Sequence, residues 1–248
     1  MVQPCSLPLF VEKCLAFAGI ALSVLTALML GCSGPAVGAT ASFPALGRPV
    51  VPIVSATWGN LAERDAANEV AQIAARLHLR SGMTVADIGA GAGYDTLRLA
   101  SIVGPRGWVI AEDVTPGYVQ SLKAAVQARR ISDVETVLGA PSDAGFAPAS
   151  IDAAIMVHMY HEIEHPYALL YNLVPAFRRG GLLGIEELDR PTQFHGTPPA
   201  LLTCELHAIG YRRLGLGPLA GGLGYFAIFA PPQSGARPRP EKIRACGG

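Results

Sequence analysis

Val85-Ala86-Asp87-Ile88-Gly89-Ala90-Gly91-Ala92-Gly93-Tyr94 decides how the rest of the chain is read. It is a short apolar strand with an acid near its end, followed by three glycines at alternate positions and a helical run over 95–103. A chain that passes from strand to helix through glycines lets a ligand approach its backbone closely. The helix N-terminus then presents free N–H groups and the positive end of its dipole. In an open α/β sheet such a turn lies at the carboxyl end of a strand, where ligands bind. Dinucleotide sites use Gly-x-Gly-x-x-Gly, but this series is Gly89-x-Gly91-x-Gly93 with Tyr94 next, which disfavours a nicotinamide cofactor. Asp87, two residues before the first glycine, suits a cationic or amine-bearing ligand better than a pyrophosphate.

Outward from this stretch, strand and helix patterns alternate. Upstream, a helix is predicted over 58–79, with Val70, Ile73, Ala74 and Leu77 on one face. The first strand spans 84–87 and the second 108–111, ending in Glu112-Asp113. Thr115-Pro116 opens a helix with Val119, Leu122 and Val126 on one side. Further strands are predicted at 134–138, 150–157 and 182–187, with a helix over 167–179 that Pro175 should kink or break. A loop at 188–199 leads to a helix at 199–209 and to two antiparallel strands, 211–214 and 225–229, joined by a glycine-rich hairpin loop. The alternation predicts an α/β doubly wound, mostly parallel seven-stranded sheet with an antiparallel C-terminal hairpin.

Asp87-x-Gly89-x-Gly91-x-Gly93 resembles the first motif of the class I S-adenosylmethionine (SAM) methyltransferases, and the resemblance extends over residues 58–230. It implies a Rossmann-like fold and direct transfer of the sulfonium methyl group to a nucleophile. It also implies cofactor roles for particular residues. Asp87 would lie near the methionine amino end, and Gly89, Ala90, Gly91 and Gly93 would allow close approach, with Tyr94 beside them. Asp113 would hold the ribose, next to Val114; Glu112 should face the other way. Asp143 would contact adenine, although Ala140 stands directly after Gly139 where an acid is common; otherwise Asp143 caps a turn. His158 would line the pocket, and Trp58 and Arg64 would belong to a lid or else to the surface.

The fourth strand runs into His158-Met159-Tyr160-His161-Glu162-Ile163-Glu164-His165. His161 is the candidate general base and Glu162 its orienting partner; the alternative is that this stretch packs the following helix. No second ligand set is evident near these histidines, so no metal site is expected.

The formal net charge is zero and no basic stripe or aromatic ladder appears, so a small-molecule acceptor is expected rather than nucleic acid. The five cysteines are scattered, with no Cys-x-x-Cys pair and no obvious disulfide framework. Residues 15–31 carry no charge and end in Met29-Leu30-Gly31-Cys32, resembling a bacterial lipoprotein signal. An uncleaved anchor and a misassigned start are the other readings. The expected organisation is a signal or anchor at 1–32, a flexible tether at 33–57, the methyltransferase domain at 58–230 and a disordered tail at 231–248. The expected location is membrane-associated, as an exported lipoprotein, or cytoplasmic if the start is misassigned. Because SAM is made in the cytoplasm, export favours a different reading: a membrane-tethered binding module on the same fold, without turnover.

Overall fold

The computed structural model describes residues 42–247. The expected signal or anchor segment lies outside the described residues. Among the described residues, no helix is long and apolar enough to cross a membrane.

The core is a seven-stranded sheet: β1 (Thr84–Ile88), β2 (Trp108–Asp113), β3 (Val134–Leu138), β4 (Ile151–Val157), β5 (Phe177–Glu187), β6 (Arg212–Pro218) and β7 (Tyr225–Ala230). Their spatial order is β3-β2-β1-β4-β5-β7-β6. β3, β2, β1, β4 and β5 pair in parallel, and β7 runs antiparallel to both neighbours. The fold and strand count are as expected. β1 and β4 are neighbours, with the chain winding outward from them in both directions, so the topological switch point lies between them.

The helices are α1 (Leu61–Ala66), α2 (Glu69–Arg76), α3 (Tyr94–Val103), α4 (Pro116–Ala128), α5 (Pro166–Leu173) and α6 (Pro199–Ile209). Two differ from expectation. The helix expected before the sheet is split in two, because Asn68 takes a left-handed conformation (φ 53°). α5 stops at Leu173, Val174–Ala176 form a 3₁₀ turn around Pro175, and β5 begins at Phe177. Two apolar clusters sandwich the sheet. One joins Ile88, Met156 and Ile185 to Leu170, Leu202 and Phe229; the other joins Val85, Val109 and Ile155 to Ile73, Leu99 and Phe226. Fully burying one such side chain contributes about 1.5–3 kcal/mol.

Parts of both expected flexible ends, among the described residues, are packed instead. Arg48, placed in the tether, is buried, and its guanidinium donates to Glu205 Oε1 (3.0 Å) and to the carbonyls of Tyr160 (3.1 Å) and His161 (3.2 Å). At the other end, Ile243 and Cys246 are buried. The Cys246 amide donates to the Tyr167 hydroxyl (2.7 Å), and a disulfide joins Cys246 to Cys204 in α6. This pairing, across 42 positions, leaves no local signature in the sequence. A crosslink closing a loop of this length removes denatured-chain entropy worth about 3–4 kcal/mol. Replacing both cysteines with serine is therefore expected to lower the calorimetric melting temperature by several degrees, and reductant should do the same to the wild type only. An unchanged melting temperature would show that the tail contributes nothing.

Candidate functional site

The carboxyl ends of β1, β2, β4 and β5 open on a cavity of about 580 Å³, within the range of small-molecule sites. Its floor includes Ile88, Gly89 and Gly91 from the glycine loop, Glu112, Asp113 and Val114 after β2, and Ala140 and Pro141 after β3. His158, Met159, His161 and Glu162 form the wall beyond β4. Residues 51–59 close it from above.

That roof is keyed to the glycine loop. The Ala56 carbonyl accepts the Ala92 amide (2.8 Å) and lies 2.3 Å from where a Cβ on Gly91 would stand. Gly91 also has φ +52°, so a side chain there meets both backbone strain and a collision. The roof's far end is set by Trp58, whose ring stacks on His158 at 3.4 Å between centroids. Arg64 lies over the rings of Trp58 and Tyr94 and pairs with Glu69 and Asp95, all largely buried. The lid assignment thus fits Trp58 itself, while Arg64 braces it from behind.

Asp113 ends β2 and faces the cavity with both carboxylate oxygens in use. Oδ2 accepts the Gly91 amide (2.9 Å) and Oδ1 the Thr115 amide (2.8 Å). A carboxylate offers about four lone-pair sites, so each oxygen retains one for a ligand hydroxyl. Glu112 reaches toward the β3 side, where a Cβ on Gly139 would overlap its carboxylate. Burial first, then the neighbouring Asp113 charge, pushes Glu112 up to about 8.

Asp87 lies behind the loop. It is buried, does not line the cavity, and its Oδ2 accepts from Thr96 Oγ1 (2.5 Å). Burial, reinforced by Asp95, raises it to about 7. Ala90 donates its amide to the Glu112 carbonyl (2.8 Å), and Gly93 packs against Leu122; both shape the loop without lining the cavity. The Tyr94 hydroxyl donates to Asp65 (2.9 Å), and its ring is covered by Arg64 and Arg98, away from the cavity. Asp143 is exposed and accepts the Gly145 amide (2.9 Å), as a turn-capping acid does. At the β3 end, Ala140 and Pro141 line the cavity in its place.

The histidines differ sharply. His158 is buried in a left-handed conformation (φ 51°), with Nε2 3.2 Å from Glu186 Oε1. Burial, followed by the positive charge of Arg64, holds it well below the ordinary histidine range, so it is neutral. His161 has its Nδ1 2.8 Å from Glu187 Oε1. A carboxylate can only accept here, so Nδ1 carries the proton and Nε2 is free as an acceptor. The orienting carboxylate is therefore Glu187, at the end of β5, and not Glu162 as expected. Glu162 stands on the other side, 4.0 Å from Nε2, and burial raises it to about 7. His195, from the loop after β5, completes the wall edge-on to His161 at 5.5 Å between centroids. In the sequence Glu187 is a strand end and His195 a loop residue, with nothing local to link either to His161. Paired acids closing a central strand were the signal that could have marked Glu187.

Glu112, Asp87 and Glu162 all hold their protons more tightly in the folded state than ordinary carboxyls do. Between about pH 4.5 and pH 8 these three carboxyls bind more protons in the folded protein than in the unfolded chain and make stability fall as pH rises; neutral His158 works in the opposite direction only below the ordinary histidine range. The melting temperature is expected to be higher near pH 5.5 than near pH 8.5, and Glu112→Gln should flatten that slope. A wild-type profile that rises with pH contradicts these assignments.

Residues 85–181 match the family described as "Methyltransferase domain". An arsenite methyltransferase from Halobacterium salinarum is 30% identical over 116 residues, 46% of this chain and 29% of that protein. A protein-L-isoaspartate O-methyltransferase from Methanothrix thermoacetophila is 34% identical over 70 residues, 28% of this chain and 33% of that protein. The chain spans about a third of the length of these curated relatives. Among solved structures, a SAM-dependent methyltransferase from Aquifex aeolicus superposes with a TM-score of 0.59 at 21% identity, covering 69% of this chain and 98% of that one. The [4+2]-cyclase SpnF superposes with a TM-score of 0.57 at 19% identity, covering 74% and 68%. These likenesses show the fold.

Proposed function

We propose, on the premise that residues 85–181 are a methyltransferase domain of the class I, SAM-dependent kind, that the whole protein moves the methyl group of SAM to a small-molecule nucleophile. The fold alone does not decide this, since a cyclase shares it. The observation that carries the reading is the join of Asp113 to the glycine loop.

The residues fit the cofactor. Gly89 and Gly91 line the cavity and, lacking side chains, let Met159 and the Ala56 carbonyl close around the loop; the spare lone pairs of Asp113 suit two vicinal ribose hydroxyls. Val114, Ala140 and Pro141 give an apolar bed for a flat base. Asp113 and Glu164 set negative charge on the cavity wall against Arg190, and the buried carboxyls of Glu112 and Glu162 beside them would ionise more readily next to a cation. That balance favours a cationic ligand. When bound, SAM supplies an electrophilic methyl carbon on a sulfonium. The chain's tasks are then to position the acceptor, exclude water under the 51–59 roof and take a proton. His161 Nε2 accepts the acceptor's proton, and Glu187 stabilises the resulting imidazolium through Nδ1–H. The rival reading, a binding module without turnover, gives that oriented imidazole no purpose.

Export of the domain is supported by the Cys204–Cys246 disulfide, since such bonds persist in oxidising compartments, and by the signal-like sequence at 15–31. Alkylating free thiols in intact cells before lysis should leave Cys204 and Cys246 unlabelled. Labelling of both would place the domain in a reducing compartment and remove the conflict with SAM supply.

Calorimetric titration of the full chain with SAM and with its demethylated product is expected to give micromolar, one-to-one binding. Asp113→Ala should weaken it at least tenfold. A folded protein that binds neither compound would overturn the proposal.

A further inference from the structure

We propose that His161, Glu162 and His195 form a divalent-cation site on the acceptor side of the cavity. Each offers one ligand atom, and the three atoms lie within 4.8 Å of one another. All three residues line the same cavity, so an ion held there would keep coordination positions open toward it. Two histidines and one carboxylate with open positions are a ligand set for zinc or iron(II).

Two further features distinguish this cluster from a chance meeting. His161 already has the tautomer a ligand needs: Nδ1–H is committed to the buried Glu187 carboxylate (2.8 Å), which leaves Nε2 as the donor atom. Metal-ligating histidines carry such a carboxylate partner, which fixes the ring and raises its basicity. His195 is also held in place. Its backbone is left-handed (φ 59°), and its carbonyl accepts from Arg190 Nε (3.2 Å) and Nη2 (3.1 Å). Thr192 Oγ1 ties the same loop to the Pro49 carbonyl (2.9 Å). Arg190 is the nearby cation on the wall, and its guanidinium is engaged with that carbonyl; Glu164 and Asp113 add negative charge to the same cavity.

A second cluster, Glu69, His158 and Glu186, has comparable spacing but is wholly buried. Arg64 pairs with Glu69 there and already supplies the positive charge. Among the described residues around His161, Arg48 and Arg190 bond the backbone carbonyls of His161 and His195 and not the side chains of the cluster.

Binding of the ion does not depend on the methyltransferase reading; its consequence for the substrate does. In the loaded protein the ion takes the Nε2 position otherwise open to a proton. A cation there lowers the pKa of a hydroxyl in its shell, which narrows the acceptors to compounds bearing an oxygen donor.

The test uses the full chain, stripped with a chelator and titrated with Zn²⁺ by calorimetry and with Co²⁺ by visible absorption. Binding of the demethylated SAM product is measured on the same sample. One equivalent of ion with micromolar or tighter affinity is expected. His195→Ala and Glu162→Gln should each weaken it more than tenfold, and Glu187→Gln about tenfold with an unchanged melting temperature. Failure of the folded wild type to take up either ion would overturn the site, as would equal affinity in His195→Ala, which would assign uptake to other groups such as the N-terminal cysteines. Ion uptake without binding of the SAM product would support the site while removing the methyltransferase reading alone.

Discussion

The Ala56 carbonyl rests on the glycine loop, and the rest of the site depends on that contact. It accepts the Ala92 amide and fills the space that any side chain at position 91 would need. Segment 51–59 can cross the loop only because residue 91 is glycine. Once it crosses, the open end of the sheet becomes a roofed cavity. Trp58 on His158 and buried Arg48 against Glu205 then fix the roof at its two ends. Held by the Ala56–Ala92 hydrogen bond and these two anchors, the roof leaves its middle, 52–55, exposed.

Arg48 and Arg64 act as paired struts. Arg48 gathers the Tyr160 and His161 carbonyls and Glu205, which also accepts the Tyr160 hydroxyl (2.7 Å). The loop carrying His161 is therefore set by a residue more than a hundred positions earlier. Arg64 joins Glu69 and Asp95, and so ties α1 to α2 and to the start of α3. Breaking a buried pair by removing one partner typically costs about 3–5 kcal/mol, because the other charge stays buried. The site's geometry and the domain's stability thus draw on the same few charges. The disulfide extends this coupling: Cys204 neighbours Glu205 in α6, and the Cys246 carbonyl lies against Gly47, next to Arg48.

Local features were legible in the sequence. The strands read clearly because each is a short apolar or β-branched run bounded by turn residues, and the places of the glycine loop after β1 and of Asp113 at the end of β2 read clearly because they follow from adjacent residues. The break at Asn68 was not legible, since the apolar face of the helix gives no sign of a left-handed residue upstream. Phe177 fitted a helical face but opens a strand, because Pro175 ends the helix before it. Asp143 illustrates a different limit: an acid two residues before a glycine looks the same whether it binds a base or caps a turn. The partners of buried charges were hidden most completely. Glu187 lies 26 positions from His161, and His195 lies further still, so only the fold brings them to one wall.

The central claim, that SAM lies on the glycine loop beneath the 51–59 roof, is tested most directly by hydrogen–deuterium exchange with and without the demethylated product. The account predicts slower exchange at the amides of 88–93, 113–115 and 140–143 and along the roof, with little change in β6 and β7. Protection confined to other surfaces, or a roof that exchanges as fast with ligand as without it, would contradict the account.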